Sequence, residues 1–130
     1  MSRTMLLGAL FTVGCTAPPG DANQEQAAPP SRMEGTFEYV GTQKGQSILL
    51  GGRYVFFVGP ADGSGPMSAE AGTYHIVRDT ATHTVVYATD PTRIGSVLKW
   101  TPESWSGDTI AYVVMNDAGH VTGRGRSVRR

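Results

Sequence analysis

Alternation of apolar and polar residues in short segments is the feature of this sequence that most constrains its fold. From residue 33 onward these segments recur about every ten residues, a spacing typical of all-β domains, and clusters of Gly, Pro, Asp and Asn separate them. No segment shows the 3.6-residue period of an amphipathic helix. The sequence therefore predicts eight short strands, at residues 36–40, 47–50, 53–58, 73–78, 83–89, 95–101, 109–115 and 121–129.

Composition supports a turn-rich domain and excludes some classes of partner. The chain of 130 residues holds 17 glycines, about twice the usual share, and eight prolines. Because charged residues make up 17% and the net charge is zero, we expect no nucleic-acid partner. Eight short strands in one small domain predict an antiparallel meander barrel, and a β-sandwich is the alternative.

Segment 53–58 is apolar on both faces. Period 2 directs Tyr54, Phe56 and Val58 to one side and Val55 and Phe57 to the other. A strand of this kind must be covered twice. The interior of the barrel covers one face, and either a loop or a partner chain covers the other, so a homodimer is one prediction from this segment.

The hairpin formed by segments 73–78 and 83–89 can be given a register from the sequence. A loop around residues 80–81 places Ile76 opposite Val85 and Tyr74 opposite Tyr87. The face that carries these four side chains is apolar and aromatic, which predicts that it lines the interior.

The N-terminus predicts export. Residues 5–13 form an apolar run that as a helix would span about 14 Å, against roughly 30 Å of hydrocarbon core. The run follows Arg3, as in a secretory signal. Residues 12–15, Thr-Val-Gly-Cys, resemble the lipobox of bacterial lipoproteins, although an aliphatic residue is usual where Thr12 stands. This resemblance implies a signal peptide at 1–14 and an acylated Cys15.

Acylation would account for the chain's single cysteine and would tether the protein to a membrane. Residues 15–32 are polar and rich in proline, which predicts a disordered tether ahead of a domain at 33–130. By resemblance to Gram-negative lipoproteins, Thr16 after the cysteine implies the outer membrane. We therefore expect the protein in the bacterial cell envelope, periplasmic or surface-exposed.

The domain resembles the lipocalin-like members of the calycin superfamily. The resemblance lies in Gly35-Thr36-Phe37 at the first strand, Gly72-Thr73-Tyr74 in a central hairpin and the arginines of the last strand. In that superfamily an arginine from the final strand lies across a tryptophan of the opening motif and closes one end of the barrel. The resemblance implies that Phe37 takes the place of the tryptophan, and Arg126 or Arg129 that of the arginine.

Aromatic residues on several strands are the candidate ligand-binding residues. Aromatic side chains that converge in a barrel can hold a small apolar ligand, and their polar tips can orient it. The alternative is that the same side chains fill the interior, because so small a barrel has little room. Trp105 falls in a predicted loop, as a lid or a plug. The candidates are Phe56, Tyr74, Tyr87, Trp100, Trp105 and Tyr112.

No sequence motif indicates catalysis, a metal or a cofactor. Nucleophile elbows, phosphate loops and dinucleotide fingerprints are missing from the sequence. The hairpin register sends His75 and His83 to opposite faces, so we expect these two not to share a metal ion, and His120 lies far along the chain. An enzyme is thus the third interpretation, after a binding module and a structural protein.

The last seven residues carry four arginines, Arg124, Arg126, Arg129 and Arg130. They indicate either a solvated end of the last strand, which we favour, or a contact with lipid headgroups.

The sequence as a whole predicts a membrane-anchored lipoprotein whose barrel binds a small apolar or amphipathic ligand. The alternative is an interaction protein with a filled core that pairs with a second copy through segment 53–58.

Overall fold

The computed structural model describes residues 31–130, which form eight strands and one short 3₁₀ helix. The predicted signal peptide, Cys15 and residues 15–30 of the predicted tether lie outside the described residues. The strands are β1 Gly35–Val40, β2 Gln43–Leu50, β3 Arg53–Pro60, β4 Ser68–Val77, β5 Thr80–Ala88, β6 Val97–Ser106, β7 Thr109–Asn116 and β8 Val121–Arg129, and the 3₁₀ helix η1 is Pro91–Arg93.

The strands form a closed antiparallel barrel in simple meander order. Each strand pairs with the next in the chain, and β8 pairs with β1. The prediction of a small all-β barrel with eight strands is confirmed, and the sandwich alternative is wrong because every strand has two neighbours in a single sheet. Closure leaves this sheet without a free edge. Within residues 31–130 no helix is long and apolar enough to cross a bilayer.

Short glycine turns let the meander turn back sharply. β2 and β3 are joined by Gly51 and Gly52 alone, and both residues have positive φ (58° and 76°). Two positive φ values give a two-residue turn the twist that hairpins prefer, and glycine adopts them without steric cost. The pairing of Leu50 with Arg53 follows directly from this turn.

The predicted register of the β4–β5 hairpin is wrong. The loop is Arg78-Asp79, with Arg78 at φ 59°, so Tyr74 pairs with His83 and Ile76 pairs with Ala81. The predicted loop had placed the turn two residues too late in the chain, because Arg78 lacks the usual preference for positive φ. The shift is an even number of residues, so the inward face is unchanged near the turn.

A β-bulge places Tyr87 outside the barrel, so its predicted inward position is wrong. Gly72 pairs with Val85 but Ala71 pairs with Tyr87, so β5 contains one extra residue at this point. The bulge reverses the alternation of β5, and Tyr87 lies on the outer surface with 71% of its area exposed. Gly72 is required here because a Cβ atom at this position would overlap the Thr84 carbonyl.

Trp105 lies in a strand, and its predicted place in a loop is wrong. β6 runs through to Ser106, with an irregularity in its pairing to β7 between Pro102 and Ser104. Pro102 indicated a loop because proline lacks an N–H donor, but a bulge tolerates that loss. Trp105 pairs with Ile110 of β7 near one end of the barrel.

We call the end of the barrel where β1 begins the closed end, because packed side chains fill it. Phe37 and Ile110 are fully buried there, and Met33, from the turn that precedes β1, is 2% exposed. Phe37 contacts Trp100 edge to face, with the ring centroids 6.0 Å apart, and lies 6.5 Å from the ring of Trp105. The opposite end, where β1 ends and β8 begins, is the open end.

Candidate ligand cavity

A cavity of about 270 Å³ occupies the barrel interior toward the open end. Tyr54 and Phe56 of β3, Trp100 of β6 and Tyr112 of β7 are among its walls, and Leu49 of β2 lies beside them. These side chains point inward because period 2 places alternate residues of every strand inside. The cavity therefore has an aromatic and aliphatic wall to which several strands contribute.

Two pairs of rings form the buried floor of the cavity. The ring of Tyr54 stacks on the imidazole of His83, with centroids 4.4 Å apart. Trp100 and Tyr112 lie 4.8 Å apart at a tilted angle. All four residues are at most 8% exposed, so they present ring surface to the cavity and little to solvent.

The floor also contains polar atoms without a hydrogen-bond partner. Among residues 31–130, the Tyr54 hydroxyl and His83 Nε2 are buried and make no hydrogen bond. A buried polar atom without a partner loses free energy relative to water, on the order of 1–3 kcal/mol. Atoms of this kind in a cavity wall are candidates to bind a polar atom of a ligand.

Burial holds these floor groups in their neutral forms. Burial lowers the pKa of His83 to about 4, because the charged imidazolium would lose its hydration. Burial also raises the pKa of Tyr54 to about 12, and the charge of Glu70 adds to that effect. At neutral pH the floor therefore offers an uncharged imidazole and an uncharged phenol.

At the mouth of the cavity, Arg93 of η1 forms an ion pair with Glu70 of β4. Glu70 is 4% exposed, whereas 43% of the Arg93 side chain is exposed. The pair uses Nε of Arg93. Hydrogen bonding to Glu70 raises the pKa of Arg93, so the guanidinium of Arg93 stays protonated. A buried carboxylate thus holds one cation at the rim.

The loop that carries Arg93 is fixed by its own cap. The side chain of Asp90 accepts hydrogen bonds from the backbone N–H and the hydroxyl of Thr92, at 3.0 and 2.6 Å. These bonds lower the pKa of Asp90. The Gly95 N–H donates to the Val85 carbonyl at 2.9 Å and attaches the loop to β5. Arg93 therefore projects from an ordered turn.

The turn before β1 attaches to the closed end through several contacts. The guanidinium of Arg32 lies 4.2 Å from the ring centroid of Trp105. The hydroxyl of Tyr74 donates to Glu34 at 2.5 Å, and Arg129 donates to the carbonyl of Arg32 at 3.2 Å. Arg32, which the sequence assigned to the tether, thus contacts the barrel.

The structure places the predicted closure residues as follows. Phe37 is buried, and its backbone pairs with that of Arg129 between β1 and β8. The side chain of Arg129 lies against Gly35 and the turn before it, while Arg126 pairs with Val40 and is exposed. Among the described residues, the arginine found over an aromatic ring is Arg32, on Trp105.

The six aromatic candidates separate into three groups. Phe56, Trp100 and Tyr112 line the cavity. Tyr74 and Trp105 belong to the packed core on the closed side. Tyr87 is outside the barrel, because the bulge in β5 reverses the alternation of its side chains.

The pairing of Glu70 with Arg93 was not predicted from the sequence, and His83 was not among the predicted ligand-binding residues. Glu70 and Arg93 are 23 residues apart, in a strand and a turn, and no local pattern connects them. The only available signal was an acidic residue at an inward position of β4, and that position was not included in a predicted strand. His83 lies inside as the hairpin face implied, and His75 lies outside and exposed.

Residues 31–130 hold no group of three or more His, Cys, Asp or Glu side chains arranged to bind a metal ion.

Strands β2 to β5 carry a row of apolar side chains on the outside of the barrel, which we call the outer apolar surface. Each residue of the row pairs with the next across neighbouring strands, and Phe57 lies beside the row. The row consists of Ile48, Val55, Ala71 and Tyr87. Phe57 is 40% exposed. The prediction that segment 53–58 is apolar on both faces is confirmed. A shallow groove of about 250 Å³ runs between Val55 and Tyr87, and Ala69 and Ala71 line it.

Comparison with known proteins gives no relative. No family model, curated protein or solved structure matches this chain.

Proposed function

We propose that this domain is a non-catalytic binding module that takes up one small apolar or amphipathic ligand in the barrel. The observation that carries the proposal is the cavity of about 270 Å³ with an aromatic wall at one end of a barrel whose other end is packed. Typical pockets for drug-sized ligands measure about 300–1,000 Å³. The ligand is therefore smaller than a long-chain lipid.

The ring faces and the unpartnered polar atoms of the cavity have different roles in this proposal. Apolar ring faces bury the body of the ligand, and Tyr54 and His83 supply uncharged hydrogen-bonding atoms. A compact ligand is limited to roughly 0.3–1.5 kcal/mol per heavy atom, which supports micromolar affinity, about 8 kcal/mol.

The test uses N-phenyl-1-naphthylamine, a neutral probe that fluoresces in apolar surroundings. We expect saturable micromolar binding at one site. Val58→Trp fills the cavity mouth and should weaken binding at least tenfold. Val55→Trp is the matched control, because the same change on the same strand points outward and should leave affinity within twofold. No binding, or an equal loss in both variants, contradicts the proposal.

The same proposal places the module at a membrane. The apolar segment and Cys15 support acylation, and the likeness of residues 12–15 to a lipobox supports the cell envelope of a bacterium. Cys15→Ser should move the protein from the membrane to the soluble fraction of a native host. Intact-mass analysis should give a diacylated or triacylated chain that begins at Cys15, and an unmodified chain beginning elsewhere contradicts the anchor.

A second function rests on the outer apolar surface, and its occupant is a second copy of this chain. Tyr87 projects beside a groove lined by alanines, so a two-fold arrangement places each Tyr87 in the groove of the other copy. Sedimentation of residues 31–130 should give a dimer in the micromolar range. Phe57→Lys should give a folded monomer, and Val77→Lys, at an exposed apolar position beyond this surface, should leave the dimer intact. A wild-type monomer throughout that range contradicts this function.

A further inference from the structure

We infer that the ligand is a compact organic acid, whose carboxylate lies at the cavity mouth on Arg93 and whose apolar body lies inside. This inference rests on the proposed function and names the class of ligand. Its starting point is the charge of the cavity wall. Among the residues that line the cavity, the charged ones are Arg93 and Arg124, and the wall includes no acidic residue.

Arg93 is arranged so that it can accept a second carboxylate. Its contact with Glu70 is made through Nε. Within residues 31–130 its two terminal amino groups have no hydrogen-bond partner, while the exposed part of the side chain reaches the rim of the cavity. A guanidinium has five N–H donors in a fixed plane, so one edge can remain on Glu70 while the other binds an incoming carboxylate in two hydrogen bonds.

Glu70 is a positioning residue in this arrangement. It is buried, and Asp90 fixes the turn from which Arg93 projects. The cation therefore stays at the mouth before a ligand arrives, and binding requires little reordering of a long side chain. Arg124 also borders the cavity, but its side chain is exposed and its Nε lies 3.4 Å from Glu103, so the inference depends on Arg93.

Size and polarity select the rest of the ligand. The cavity volume of about 270 Å³ suits a single compact ring system. The lining near the floor is aromatic, and its buried polar atoms without a partner are the Tyr54 hydroxyl and His83 Nε2, both on neutral groups. A charged group is thus favourable only at the mouth, where solvent and Arg93 meet.

The experiment compares adamantane-1-carboxylate with adamantane-1-carboxamide, which have the same body and differ in charge. Each displaces N-phenyl-1-naphthylamine from the protein at low ionic strength. We expect the acid to bind about tenfold more tightly than the amide, and the difference to shrink as salt is added.

Variants then assign the preference to Arg93. Arg93→Gln leaves Glu70 buried without a cation, which can prevent folding. The double variant Glu70→Gln/Arg93→Gln removes both charges and should reduce the preference for the acid to less than twofold. Arg53→Gln, an exposed arginine at the closed end, is the control and should keep the preference.

The outcomes separate this inference from the proposed function. If the probe binds and Val58→Trp blocks it, but acid and amide bind equally, the inference is overturned and the binding module stands. A preference for the amide, or a preference for the acid that survives the double variant, also overturns it. If the probe does not bind, the proposed function itself fails.

Discussion

The two ends of this barrel are built from the same kinds of residue but are packed differently. At the closed end, Phe37, Ile110 and Met33 are 2% exposed or less and fill the space between the strands. At the open end, Phe56 and Tyr112 face a cavity of about 270 Å³. The turn before β1 accounts for part of the difference, because it inserts Met33 into one end only.

The comparison shows where polar groups are satisfied. At the closed end, the hydroxyl of Tyr74 donates to Glu34, and Arg32 covers Trp105. On the cavity floor, Tyr54 and His83 each have a buried polar atom without a partner among the described residues. Ser127 Oγ, beside Ile110, also lacks a partner within residues 31–130, so atoms of this kind are not confined to the cavity. Tyr54 and His83 differ from Ser127 in that both line open space, whereas the closed end is filled by packed side chains.

The largest expected effect contrasts two phenylalanines. Phe37→Ala should lower the free energy of unfolding by about 3–5 kcal/mol, because a fully buried ring leaves a cavity in packed surroundings. Phe56→Ala should cost about 1–2 kcal/mol, because one side of its ring already faces open space and makes fewer contacts. Denaturant unfolding measures both. Equal losses would mean that the two ends are packed alike.

The next effect is a pH dependence that originates at the cavity floor. His83 has a folded pKa of about 4, below the ordinary value of 6.5, so the unfolded chain binds a proton more readily. Its contribution to stability is present above pH 6.5 and is lost as pH falls toward 4, on the order of 3 kcal/mol in total.

Two variants isolate this contribution. In His83→Gln the loss of stability between pH 7 and pH 4 should be smaller than in the wild type by about that amount. His75→Gln, on the exposed outer face of the neighbouring strand, is the matched control for the substitution itself. An unchanged slope in His83→Gln would show that this imidazole is hydrated in the folded protein.

The smallest effect compares an arginine at each end. Arg32→Ala should lower stability by about 0.5–1 kcal/mol, because the guanidinium leaves the face of Trp105. Arg124→Ala should change it by less than about 0.5 kcal/mol, since its pair with Glu103 is exposed. Thermal unfolding of both variants beside the wild type measures the difference, and a larger loss for Arg124 would reverse the assignment of the stabilising end.

The sequence predicted the barrel because its signals are local. Period-2 segments and turn residues such as Gly51-Gly52 place all eight strands in order, and antiparallel neighbours then follow. The position of Tyr87 was wrong because a bulge depends on the pairing of two strands and leaves no pattern in one of them. The extension of β6 through Trp105 was missed because Pro102 indicated a loop, and the pairing that continues past it depends on the folded sheet.

The candidate site was predictable only in part, for a related reason. Phe56, Trp100 and Tyr112 were found because inward aromatic positions follow from strand periodicity. Whether inward side chains fill a barrel or enclose a cavity depends on summed volumes and tilt, which periodicity does not encode. The pairing of Glu70 with Arg93 joins a strand to a distant turn, and only the folded chain brings the two together.

The most direct test of this account measures the response to a ligand at each end of the barrel separately. It uses two variants, each of which keeps one tryptophan. Trp105→Phe leaves Trp100, which lines the cavity, and Trp100→Phe leaves Trp105, which lies at the closed end. Adamantane-1-carboxamide is transparent at the tryptophan wavelengths and neutral, so its binding is independent of Arg93. The account predicts a saturable shift of Trp100 emission at micromolar to millimolar ligand and no shift of Trp105 emission. If neither tryptophan responds, or both respond alike, the barrel has no binding cavity distinct from its packed end.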